Sequence, residues 1–147
     1  MRDTEGRRAA TIGFGLLAFS VPLGLTFEAL HALKVDVYLG SATRREMWTL
    51  AHAHGAMLGL VLLAYAALAP RYFAASAARS SIERWLVAGA ILMPLGFLLG
   101  GVLNGEGDPS LGILAVPLGG AALVVALVRA AFAAGRPGDP PAESDGA

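Results

Sequence analysis

The chain has 147 residues, of which 56% are hydrophobic and only 15% charged, with a mean hydropathy of +0.63. That balance excludes an ordinary soluble domain. Eleven basic residues offset eleven acidic ones, so no electrostatic footprint points to nucleic acid as a partner. Cysteine is absent, which removes disulfides, thiolate metal sites and cysteine nucleophiles together.

Four uncharged stretches follow in chain order: Ala9–Phe27, Trp48–Ala69, Trp85–Leu103 and Leu111–Val128, each of 18 to 22 residues. A helix needs about 20 apolar residues to cross a hydrocarbon core roughly 30 Å thick. Lipid offers backbone groups no partners, and a closed barrel needs more strands than this length supplies. The expected fold class is therefore all-α, a four-helix transmembrane bundle with the lipid bilayer as its principal partner. Its spans fall at about 9–33, 47–69, 83–103 and 110–133, in a single domain over 1–134. The tail over 135–147, rich in Pro, Gly and acids, reads as disordered.

Arg7-Arg8 before an apolar run resembles the start of a secretory signal, with Ala18-Phe19-Ser20 as a cleavage site. The run continues through Phe27, too far for a typical signal core, and so reads as a span. Kinks are expected at Pro22, Pro94 and Pro117. Trp48 and Trp85 stand at span ends, where aromatic anchors belong. Gly55 and Gly59 form one GxxxG step, extended backwards by Ala51. Gly96 and Gly100 form a second, with Asn104 one turn further on. Small residues four apart let helix backbones approach closely.

Orientation follows from the basic residues. Arg2, Arg7, Arg8, Arg71, Arg79, Arg84, Arg129 and Arg136 fall on one side of a four-span arrangement, against Lys34, Arg44 and Arg45 on the other. The positive-inside rule then places both termini in the cytoplasm, and the expected location is a bacterial inner membrane.

In that orientation the outer ends of the first two spans carry Glu28, His31, His52 and His54, including every histidine of the chain. Asn104, Glu106 and Asp108 approach from the third. Ionisable residues near apolar spans are costly and usually face the bundle interior or a wet cavity. At about 100° per residue, His52 shares a face with Gly55, Ala56 and Gly59, whereas His54 shares one with Met47, Leu58, Val61 and Tyr65. One helix cannot aim both rings at one metal ion.

Glu28 and His31 are neighbours at i, i+3. Glu-x-x-His occurs in carboxylate-bridged di-metal bundles, but those need two such motifs and two further glutamates. The cluster reads either as polar glue between helices or as a site. As a site, His52, His54, His31 and Glu28 are the candidate cofactor ligands, and His31, His52 and Glu28 the candidate metal ligands. The segment from Asn104 to Ser110 lacks the length and terminal glutamate of an EF-hand loop. It reads as a tight hairpin with Asp108 or Ser110 capping the fourth helix. Spacing localises no Ser/His/Asp arrangement, and no phosphate-binding glycine loop follows a strand.

His31-Ala32-Leu33-Lys34, then Trp48 and a histidine near the start of span two, resemble a small four-helix bacterial inner-membrane family of unknown function, YgdD-like. So does the spacing from Phe97 to Pro117-Leu118-Gly119-Gly120. That resemblance implies four spans and no established activity. Phe97-Leu98-Leu99-Gly100 departs from it by lacking the family's serines, and Glu28 stands where the family has a small residue. Ala51-His52-Ala53-His54-Gly55, followed by Leu58-Gly59, is also similar to His-x-His helices of membrane proteins related to the heme-copper oxidase main subunit, which implies heme b on an outer-leaflet histidine.

Three functions follow as expectations. The first is a small inner-membrane protein without its own catalysis, an accessory or structural subunit in a homo-oligomer or larger membrane complex. The second is a heme b or transition-metal binder, and the third a proton or ion conduit.

Overall fold

Uncharged runs decide where this chain is helical, and its caps decide where the helices stop. The computed structural model describes residues 6–73, 76–102, 104, 105 and 107–135. The tail beyond Gly135, the segment ends at Leu103 and Glu106, and Arg2 and Arg136 lie outside those residues. The order is α1 (Arg7–Ala32), α2 (Asp36–Leu39), α3 (Ala42–Tyr72), α4 (Ser76–Val102), a 3-10 turn at Leu111–Leu114 and α5 (Ala115–Ala134). No strand occurs among the described residues. α1, α3, α4 and the turn-plus-α5 segment are each long and apolar enough to cross a membrane, so the four-helix expectation is met.

The long helices pack in chain order, α1 on α3, α3 on α4 and α4 on α5. Burial follows that order: 28% and 39% of the apolar windows of α3 and α4 are buried, against 17% in each flanking helix. α3 and α4 are thus the centre. The core is Leu58, Leu62, Leu86, Val87 and Ala90, reached by Ala9 from α1 and Ala126 from α5. Large apolar side chains such as Phe14, Leu25, Leu118 and Phe132 are more than 60% exposed on the flanking helices. In water they would form an aggregation-prone surface; in hydrocarbon they are ordinary.

Glycines set the interhelical spacing. A Cβ at Gly13 would lie 2.8 Å from the Gly59 carbonyl oxygen, and one at Gly59 would lie 2.9 Å from that of Gly13. Between α4 and α5, a Cβ at Gly119 would lie 2.7 Å from the Met93 amide nitrogen. Such contacts replace side-chain packing with backbone packing, the main source of helix association where lipid is as apolar as leucine.

The helix ends show which local signals prevailed. Ser41 caps α3, its Oγ accepting from the Arg44 N–H at 3.2 Å. α1 ends in a Schellman motif: Lys34 donates to the His31 carbonyl at 3.1 Å and Val35 to that of Leu30 at 3.0 Å. The left-handed position is Lys34, with φ of 52°, where glycine is usual. Lys34→Gly is therefore expected to raise stability by about 1 kcal/mol, read as a higher midpoint in a denaturing-detergent titration.

Prolines behave differently from one another. α1 and α4 continue through Pro22 and Pro94. Pro117 sits in the first turn of α5, just after the 3-10 turn, where its missing N–H has no helical partner to lose. The fourth segment thus changes helix type before Pro117, and the proline opens α5. Ser110 does not cap by its side chain; its Oγ donates instead to the Leu99 carbonyl at 2.7 Å.

At the opposite end, Glu83 of α4 is buried at 8% exposure, and its Oε1 accepts from the Ala9 N–H at 3.0 Å. Ala9 is the third residue of α1, whose amide has no partner within its own helix. A carboxylate there also meets the positive end of the helix dipole. This cross-helix cap fixes the start of α1 against α4.

Candidate functional site

The polar residues gather where α1 ends and α3 begins. α2 folds back over this end and places Tyr38, only 6% exposed, against Phe27 and Trp48. The Phe27–Tyr38 and Phe27–Trp48 ring pairs are stacked at 5.6 and 5.5 Å between centroids. Arginines fasten the loop: Arg44 donates to the Gly101 carbonyl at 3.0 Å and the Val37 carbonyl at 2.7 Å, and Arg45 donates to the Leu39 carbonyl. The Arg44 guanidinium also lies 5.7 Å from the Trp48 ring centroid.

Trp48 packs between helices. It is half-buried, Nε1 donates to the Leu98 carbonyl at 3.2 Å, and a Cβ at Gly101 would lie 2.6 Å from its ring. It is a wedge between α3 and α4. The sequence placed it near a span end, but α3 begins at Ala42, almost two turns earlier, because Ser41 caps a polar first turn that lies outside the apolar run.

His52 faces α1. Its Nδ1 lies 2.7 Å from the Ser20 carbonyl oxygen. A carbonyl can only accept, so Nδ1 is the donor in this contact and Nε2 takes no part in it. Gly24 makes room: a Cβ there would lie 2.4 Å from His52 Cε1. His54 faces the other way. Its Nδ1 donates to the Leu50 carbonyl of its own helix at 2.9 Å, and its ring lies 4.9 Å from that of Phe97 on α4. The 100° helical step separates the two rings onto α1- and α4-facing sides.

His31 is exposed and meets the edge of Tyr38 at 6.4 Å. Glu28 is exposed on α1 and, with His52, lines a pocket of about 320 Å³ between α1 and α3. Tyr38, Thr49 and Gly24 complete its polar and close walls. Among the described residues, no three His, Cys, Asp or Glu side chains are grouped to hold a metal ion. Asn104 does not join the pocket; its Nδ2 donates to Ser41 Oγ at 2.8 Å, tying the end of α4 to the cap of α3.

The small residues have definite neighbours. Ala51, Gly55 and Gly59 are buried on α3, with Gly55 against Ser20 and Gly59 against Gly13. Gly96 and Gly100 are buried on α4 against Val116 and Ile113. Beside Ala51 an apolar groove of about 190 Å³ runs between α1 and α4.

Sequence reasoning missed Gly24, Thr49 and Tyr38. The first two carried a signal, standing one helical turn before Glu28 and His52 on the same faces. Tyr38 carried none, since its place depends on how the loop folds back.

Compared with protein-family models, with curated proteins and with solved structures, the chain matches none.

Proposed function

We propose that this chain is an integral protein of a bacterial inner membrane, with both termini in the cytoplasm, acting without catalysis of its own as an accessory or structural subunit. Four helices of spanning length support insertion. The basic residues, eight against three, support the orientation. The observation that carries the non-catalytic reading is how the polar end is used. His52 bonds to α1, Trp48 to α4, Arg44 to both α4 and the loop, and Asn104 to the cap of α3. These groups hold helices and loop together. The glycine steps at Gly55/Gly59 and Gly96/Gly100 serve the same purpose as close-packing faces.

Single polar contacts between membrane helices are weak, averaging about 0.6 kcal/mol. His52→Leu is therefore expected to lower stability by only that order in a denaturing-detergent titration. A loss several times larger would mean that His52 holds more than the Ser20 carbonyl.

One observation favours a second reading. Histidines that bind metals or heme iron typically donate their other ring N–H to a carbonyl or carboxylate, and His52 does so toward Ser20. His52 would hold heme iron or a metal ion through Nε2, with Glu28 in the same pocket. A visible spectrum and metal analysis of purified protein separate the readings. The accessory reading expects neither a Soret band nor stoichiometric metal; either signal, lost in His52→Leu, replaces it with the second.

A further inference from the structure

We propose that the pocket between α1 and α3 binds a primary ammonium group, as carried by an ethanolamine-type lipid headgroup or a free alkylamine. This goes beyond the structural role of the polar end, and rests on a donor–acceptor count of the pocket wall.

The wall is rich in acceptors. The Glu28 carboxylate only accepts. His52 spends its Nδ1–H on the Ser20 carbonyl, and the Nε2 of a neutral ring is an acceptor. The Thr49 and Tyr38 hydroxyls can each accept. A primary ammonium brings three N–H donors and a positive charge to such a set, whereas a quaternary ammonium brings the charge and no donor. A phosphate or carboxylate ligand would meet the Glu28 charge and lone pairs.

Glu28 is also unpaired among the described residues. Among the described residues, no cationic side chain pairs with it, and it makes no other polar contact. The two arginines in the first turns of α3 donate to carbonyls, Arg44 to those of Val37 and Gly101 and Arg45 to that of Leu39.

Depth suits an amphiphile. Glu28 lies one turn before the end of α1, at Ala32, while Val21 and Leu25 extend the same pocket down the helix as an apolar wall. A headgroup amine at Glu28 would leave its chain along those residues.

Trp48 stacks on Phe27 and reports on the pocket. The full chain carrying Trp85→Phe, so that Trp48 is the sole tryptophan, is placed in nanodiscs of phosphatidylcholine. Its emission is followed as phosphatidylethanolamine replaces part of the lipid, or as free ethanolamine is added. A saturable change with phosphatidylethanolamine, reduced at least tenfold in apparent affinity by Glu28→Gln, supports the proposal with lipid as the source. The same behaviour with free ethanolamine supports it with a soluble amine as the source. No saturable change with either, an unchanged response in Glu28→Gln, or an equal response to phosphatidylglycerol would overturn it. Glu28 is exposed and, among the described residues, without a partner, so its glutamine variant keeps the wild-type helical signal and elution position. None of these outcomes bears on whether the chain has catalysis of its own.

Discussion

Gly13→Val is expected to push α1 away from α3 and lower stability by about 3 kcal/mol, near the top of the usual range for overpacking. The reason is what a side chain there would meet. Its Cβ would lie 2.8 Å from the Gly59 carbonyl oxygen and 3.1 Å from the Leu63 side chain. Leucine can turn aside, but a helical carbonyl cannot. Gly15 is two residues away on the same helix, and nothing lies within 4 Å of a Cβ built there. Gly15→Val makes the same change in intrinsic propensity without the contact and is expected to shift stability by no more than about 0.5 kcal/mol. Denaturing-detergent titrations of the two variants isolate the packing term. Equal losses would mean that α1 does not rest on α3 through Gly13.

Glu83→Ala is expected to cost about 1–3 kcal/mol, the desolvation penalty of a buried donor left without an acceptor. The Ala9 amide is that donor, at a residue with no exposed surface. Loss of the carboxylate from the helix start adds to the penalty. Glu83→Gln keeps an oxygen in reach and should recover more than half of the loss. Hydrogen exchange localises the effect: protection of the Ala9 amide falls in Glu83→Ala while protection in the middle of α3 remains. Unchanged exchange at Ala9 would show that the carboxylate is not its partner.

The four helices were legible because hydrocarbon imposes one simple requirement, a long run without charge, and the chain meets it four times. Their ends were less so. α3 starts at Ala42, several residues before the apolar run, because Ser41 caps a polar first turn carrying Arg44 and Arg45. Hydropathy cannot register such a turn. α2 was also invisible, since four residues generate no periodic pattern and Tyr38 is buried by rings of other helices, Phe27 and Trp48.

At the candidate site, helical angles separated His52 from His54 because that relation is internal to one helix. Which neighbour each ring meets, Ser20 for one and Phe97 for the other, depends on how helices pack and left no local trace. Glu83 is the clearest omission. A glutamate before a span reads as an interfacial charge, and only the arrival of the α1 N-terminus turns it into a buried cap.

Four membrane crossings with both termini in the cytoplasm underlie the proposed function. Because the native chain has no cysteine, single cysteines can report each side without background. Asp36→Cys and Asp108→Cys stand at the end carrying the pocket or in the hairpin beside it, and Arg71→Cys and Gly135→Cys at the other; all four positions are exposed. A membrane-impermeant maleimide applied to intact spheroplasts is expected to label the first two and to reach the second two only after lysis. The reverse pattern, or labelling of all four from outside, would contradict the arrangement.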